Sequence, residues 1–259
     1  MSFRYIEPQG TLMISVPHAG LALGELAGNA GTVWSDLPDT DWHVDRLAEE
    51  ARPAAAGLLV AELSRYVVDL NRPADDAPLY AGTGTGLVPT ETFAGEPLYP
   101  AGEAPDESEL ERRRQHWRPY HERLLQTLQA MRARHGFAVL LDMHSIASRV
   151  PRLFDGHLPD LNLGTFDGAS CGADIEQAVR HLLAGQHQFS WIINGRFKGG
   201  FITRHYGRPD QDIHALQLEI SQSCYMDEDD PRAFSLARAK PLIGWLQQLT
   251  IRLARWRPR

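Results

Sequence analysis

The chain has 259 residues, 43% hydrophobic and 23% charged, which suffices for a sizeable core; no Ser/Gly-rich linker or charge block divides it, so one domain over residues 1–259 is expected. Its formal charge of −7, without a basic stripe interleaved with aromatics, argues against a nucleic-acid footprint. No apolar run approaches the ~18 residues of a membrane span, and two cysteines are too few for a disulfide framework or a Cys-rich zinc module.

The N-terminus, Met1 to Glu7, carries an acid where a signal peptide has an apolar stretch, so a bacterial-type cytoplasmic location is expected. Apolar runs then alternate with amphipathic stretches, the signature of α/β architecture. In chain order, strands are predicted at 11–16, 58–63, 65–70, 137–142, 161–166, 190–194 and 215–220. Helices are predicted at 40–52, 107–134, 173–184 and 232–256. The longest repeats Leu110, Trp117, Leu124, Leu128 and Met131 at helical spacing, with Ser108 as its cap, Glu111 three residues on and Gly136 past its end. Pro119 predicts a kink in it, and Pro241 interrupts the last helix. A stretch rich in Gly, Pro and Thr fills 71–106, and a loop of that length in a compact domain is usually functional. It holds no GxxxxGK[ST] motif, which speaks against a nucleotide-phosphate cradle. A second irregular segment, 195–212, combines four basic side chains with four glycines, a composition suited to folding over an anion.

Four of the apolar runs end in residues with chemistry. Leu12–Val16 leads into Pro17-His18, Tyr66–Leu70 into Asn71-Arg72, Phe137–Leu141 into Asp142-Met143-His144, and Ala215–Leu218 into Glu219. In open α/β sheets, ligands bind beyond the carboxyl ends of the strands, so these residues can share one pocket. Asp-x-His places both side chains on one face of a strand, where Asp142 can orient His144 behind a metal; the plain alternative is an acid capping a loop. A third ligand must come from elsewhere, and Asp39, Asp41, His43 and Asp45 crowd together. Asp39 or Thr40 is the expected N-cap of the helix, with Asp41 and Asp45 on one face of its first turns; acids there also simply favour the macrodipole. Arg72 suits a substrate carboxylate, or an ordinary ion pair. Glu219 sits in an apolar run, where a carboxylate is costly unless paired or used as a base; otherwise it lines a solvent-facing side.

Together with Ser-Val-Pro-His-Ala-Gly, Val-Val-Asp-Leu-Asn-Arg-Pro, Leu-Asp-Met-His-Ser-Ile, Gly-Gly-Phe-Ile-Thr-Arg-His-Tyr-Gly and His-Ala-Leu-Gln-Leu-Glu-Ile, these residues make the chain resemble the N-formylglutamate amidohydrolases. The resemblance runs over nearly the whole chain. It implies one α/β domain, a mixed open sheet flanked by helices, zinc-carboxypeptidase-like (phosphorylase/hydrolase-like). It also implies one divalent metal, expected to be Zn²⁺, bound by His18, Asp41 and His144, with Glu219 as the base and formate and glutamate as products of histidine breakdown. Where the zinc-carboxypeptidase template has an acid three residues after its first His, this chain has Leu21; Asp41 is the substitute, with Asp45 second. Asn71 and Arg72 would hold one substrate carboxylate, and Arg204, Arg149 or Arg152 the second. The competing readings are an amidohydrolase for another N-acyl amino acid and a metal-free dicarboxylate-binding protein.

Overall fold

The structure, a computed structural model, describes residues 2–24, 26, 34, 36–79 and 85–258. Seven strands form one mixed sheet: β1 Phe3–Ile6, β2 Leu12–Val16, β3 Gly57–Ala61, β4 Ala138–Ile146, β5 Leu161–Gly164, β6 Trp191–Ile193 and β7 Ile213–Ser221, in the order β1-β3-β2-β4-β7-β5-β6. The four central strands, β3, β2, β4 and β7, run parallel, whereas β1 and the β5–β6 pair run against them. Every residue of those four strands is buried, as expected where helices cover both faces of a parallel sheet.

Alternation along the strands divides the core in two. Leu12, Ile14 and Val16, with Val139, Leu141, Met143, Leu216, Leu218 and Ile220, pack towards α1 Val44–Ala51, α3 Ala173–Ala184 and α5 Leu236–Arg255. The opposite face begins apolar, with Met13, Ala138, Leu140, Ile213 and Ala215 under α2 Glu107–His135 and α4 Phe201–Tyr206. Further along the same strands this face turns polar, through Ser15, Asp142, His144, Gln217 and Glu219. Side chains two apart share a face, so the polar set gathers at one end of the sheet. That end is the carboxyl end of the parallel strands.

The predicted elements hold except where side-chain chemistry overrides an apolar run. Residues 65–70 are a chain of turns rather than a strand: Val67 N–H donates to Ser64 O (2.9 Å) and Arg72 N–H to Asp69 O (3.1 Å). Val67, Val68 and Leu70 are buried without belonging to a ladder. Strand β1 was not anticipated. The predicted 40–52 helix starts only at Val44, behind His43 at φ 60° with no side-chain cap, because neither Asp39 nor Thr40 caps it. The cap of α2 is Asp106, which accepts from Glu109 N–H at 2.8 Å, and not Ser108; the helix runs unbroken past Pro119, as α5 does past Pro241. The segment 195–212 contains a helix, α4, opened by Gly200 and closed by Gly207.

After β2 the chain turns across the tail of β3, where Ala22 N–H donates to Glu62 O at 3.0 Å. Gly20 lies so close that a Cβ there would meet Leu63 O at 2.3 Å and the Glu62 carbonyl carbon at 2.5 Å. Backbone on both sides leaves no room to yield. Gly20→Ala is therefore expected to lower stability by about 1–3 kcal/mol, read as a lower urea midpoint; an unchanged midpoint would show that this crossing can relax.

Candidate active site

His18 stands two residues past β2, and Asp41 precedes α1 with its N–H on His18 O at 3.1 Å. His144 and Glu219 are direct partners in the parallel β4–β7 register, so their side chains project to the same face. One nitrogen or oxygen from each of His18, Asp41 and His144 lies within 4.8 Å of the others, and all three residues are buried.

The hydrogen bonds define which atoms converge. His18 Nε2 donates to Asp69 Oδ1 at 2.7 Å, and His144 Nε2 donates to Asp142 Oδ2 at 2.8 Å. Each imidazole is thus fixed by a carboxylate on its far side, which leaves Nδ1 as the free lone pair. His144 Nδ1 lies 3.0 Å from Asp41 Oδ2, and His18 Nδ1 lies 3.7 Å from the same oxygen with no hydrogen-bond partner. Asp41 Oδ2 also accepts from Ser145 N–H at 3.1 Å, yet no donor reaches His18 Nδ1. A proton shared with Asp41, or a bound cation, would satisfy the facing ring nitrogens. Burial opposes the charged imidazole of His144, but Asp142 and Asp41 outweigh it and hold its pKa well above the ordinary value. Burial would likewise raise Asp41, but His144 and His18 hold it below the usual carboxylate range.

Behind this cluster lies a residue that the sequence reading passed over. The buried guanidinium of Arg65 donates to Asp69 Oδ2 at 2.9 Å and to Asp41 Oδ1 at 3.4 Å, and it stacks over Phe93 at 4.7 Å. Burial would raise Asp69, yet His18, Arg72 and Arg65 together hold it well below the usual range. Asp39 serves elsewhere, accepting from Tyr66 Oη (2.9 Å) and Phe93 N–H (2.8 Å). Asp45 is on α1, paired at 3.1 Å with Arg4, and takes no part in the cluster.

Glu219 is buried beside the cluster and accepts from Gln217 Nε2 at 3.3 Å. Burial pushes its carboxyl up to about 8; His144 and Arg65 oppose that shift, and Asp41 and Asp142 reinforce it. A cleft of ≈ 790 Å³, counting space open to solvent, joins these groups. Asn71, Arg72 and Arg152 line it, whereas Arg149 and Arg204 do not. Arg149 points to solvent; Arg204 donates to Gly199 O (2.7 Å) and Leu79 O (3.1 Å) and lies over Phe166. Arg196, which the sequence reading did not single out, lines the mouth with its Nε on Leu153 O at 2.6 Å. Arg152 there is paired with Glu91 at 2.5 Å.

The family model for N-formylglutamate amidohydrolase matches residues 10–226. The chain belongs to the N-formylglutamate amidohydrolase family. It is 50% identical to the N-formylglutamate deformylase of Pseudomonas putida, over 95% of this chain and 92% of that protein. To the deformylase of Pseudomonas aeruginosa it is 47% identical, over 95% and 93%. The crystal structure of N-formylglutamate amidohydrolase from Ralstonia eutropha JMP134 superposes with a TM-score of 0.84 at 27% identity, covering 97% of this chain and 96% of that one. A gene product of Agrobacterium tumefaciens shares the fold, with a TM-score of 0.69 at 17% identity over 96% and 94%. Both solved folds align with essentially the whole of this chain. No helix among the described residues is long and apolar enough to cross a membrane.

Arg65 offsets two buried carboxylates in this amidohydrolase, and removing it would take from both their permanently charged direct partner. Arg65→Met is expected to cost about 3–5 kcal/mol, measured by equilibrium denaturation. A variant as stable as the parent would show that His18 and His144 alone neutralise Asp41 and Asp69.

Proposed function

We propose that the chain hydrolyses the formamide bond of N-formyl-L-glutamate to formate and L-glutamate, using one divalent cation, zinc, held by His18 Nδ1, Asp41 Oδ2 and His144 Nδ1. The observation that carries this reading is the buried, partnerless Nδ1 of His18, aimed at the oxygen that His144 Nδ1 also faces. Two His and a carboxylate, with each His backed by a second carboxylate, are a donor set suited to catalytic zinc. The substrate is that named for the two deformylases of similar sequence. The paired histidines, the Asn71-Arg72 dipeptide and the late Glu219 extend the reading to a zinc-carboxypeptidase-like arrangement.

When bound, the cation supplies Lewis acidity, which lowers the pKa of a water and polarises the amide carbonyl. Glu219 takes the proton of the attacking water and returns it to the departing nitrogen. A proton affinity near neutrality suits both halves of that task, and burial pushes this carboxyl up to about 8. The guanidinium of Arg65, bound to Asp41 and Asp69 at the cleft wall, adds positive charge close to where the carbonyl oxygen would become anionic.

N-formylglutamate carries two carboxylates, and the cleft offers cationic groups at two places. Arg72 is held at one wall by Nε on Thr85 O (2.7 Å) and Nη1 on Asn71 O (3.0 Å), beside Asn71. Arg196 and Arg152 stand at the mouth; because Glu91 neutralises Arg152, Arg196 is the stronger candidate for the second carboxylate.

Formate release from N-formyl-L-glutamate should be abolished by a chelator and restored by Zn²⁺. Activity that survives thorough metal removal would sink the metal reading while keeping the substrate. Turnover of other N-acyl amino acids but not of N-formyl-L-glutamate would move the substrate class. Glu219→Gln should lose about a hundredfold to ten-thousandfold in kcat while binding zinc at parental stoichiometry. Near-normal turnover in that variant would remove Glu219 from the mechanism.

A further inference from the structure

The cleft's dipeptide, Asn71-Arg72, lies in a turn that no strand supports, so something else must fix it. On α2, one helical turn apart, Trp117 and His121 stack with ring centroids 3.7 Å apart and planes at 20°. Trp117 Nε1 donates to the carbonyl of Arg72 at 2.8 Å, and His121 Nε2 donates to the carbonyl of Leu70 at 2.9 Å. Two donors, on residues about 6 Å apart along the helix axis, thus grip the backbone on either side of Asn71. The opposite side is gripped by the first turn of α4. Ile202 N–H donates to Asn71 Oδ1 at 2.8 Å and Phe201 N–H to Asn71 O at 3.4 Å, while Gly200 packs so closely that a Cβ there would stand 2.3 Å from Asn71 Nδ2.

His121 is built for this use and for no visible other. It is buried, away from the cleft, and burial pushes its pKa down to about 3, so the ring is neutral at physiological pH. A neutral imidazole has one donor and one acceptor. The Leu70 carbonyl requires the proton on Nε2, and the single Tyr206 O–H, with Oη 2.9 Å from Nδ1 and 3.1 Å from His121 O, is then shared between that lone pair and the carbonyl. The ring also packs edge-on against Phe201, which closes the link between α2 and α4.

We propose that Trp117 and His121 are positioning residues for substrate recognition: their two hydrogen bonds hold the Leu70–Arg72 backbone so that Asn71 and Arg72 present a preset carboxylate clamp to the cleft. This rests on the substrate reading above only for what the clamp holds. Losing a donor loosens the turn and weakens substrate binding; because Asn71 N–H also donates to Asp69 Oδ1 at 2.9 Å and Asn71 Nδ2 lies 3.2 Å from His144 Nε2, zinc stoichiometry is measured alongside to separate an effect on the clamp from one on the cation site.

The test uses Trp117→Phe and His121→Leu, which keep apolar bulk but remove one donor each, and His121→Gln, whose amide restores a donor near Nε2. The first two should raise KM for N-formyl-L-glutamate by roughly tenfold, with kcat and zinc stoichiometry close to parental. His121→Gln should recover most of that loss. Hydrogen exchange supplies a readout independent of substrate: the amides of Asn71 and Arg72 should exchange faster in the donorless variants, and near the parental rate in His121→Gln. Unchanged exchange at those amides, or a loss of activity only in step with lost folded protein, would overturn the clamp. If the parent protein released no formate, the substrate reading would fail, and the exchange rates would still decide whether these two donors hold the turn.

Discussion

Everything at the cleft depends on keeping three carboxylates, two imidazoles and a guanidinium together out of water. Arg65 touches Asp41 and Asp69, Asp69 holds His18, and Asp142 holds His144. A buried carboxylate without a partner is prohibitively costly, so each acid here is bound to a base that is itself fixed by another acid. The network therefore orients both rings and supplies their charge balance by the same contacts. Ser145 N–H on Asp41 Oδ2 (3.1 Å) and Ser15 Oγ on Asp142 Oδ1 (2.8 Å) complete the hydrogen bonding at its edges.

The sheet supplies the platform. One face is apolar along most of β2, β4 and β7, with Ser145 and His214 as polar ends, and it packs against α1, α3 and α5. The other is apolar only for the first part of each strand, then polar, so α2 and α4 cover the first part and the cleft opens over the second. The same strands thus provide both core and site, divided by position along the strand. Long loops close over that end: residues 91–93 and 152–153 reach the cleft wall, backed by the small apolar cluster of Ile146, Val150 and Leu158.

Much of this was legible in the sequence, for reasons that particular residues make plain. The apolar runs at β2, β4 and β7 are long enough to stand out, and each ends in a chemical residue, so His18, His144 and Glu219 could be placed at one end of the sheet. Strand β1 alternates between half-buried and exposed positions at the sheet edge and gives little signal. The 65–70 run misled because Val67, Val68 and Leu70 are buried from turns, and short apolar runs do not distinguish a strand from other buried chain. That error concealed Arg65 and Asp69, although an oppositely charged pair four residues apart inside an apolar run was a visible clue. Asp41 joins the His18–His144 cluster from ahead of the helix, not from its first turns as its spacing with Asp45 suggests. Loop arginines carried no directional information, so Arg149 and Arg204 were named and Arg196 was not.

The β4–β7 ladder pairs nine residues on each strand, with His144 opposite Glu219 near its end. Side chains alternate between faces, so a slip of one residue would turn Glu219 away from His144 while leaving a hydrogen-bonded sheet. The partners of the cleft come from residues 18, 41, 144 and 219, so the cleft stays incomplete, lacking Glu219, in a chain that has not yet added β7 between β4 and β5. Correct register is thus inspected by function itself: a compact chain folded one step out of phase would pass as native by its helix content and have no active centre.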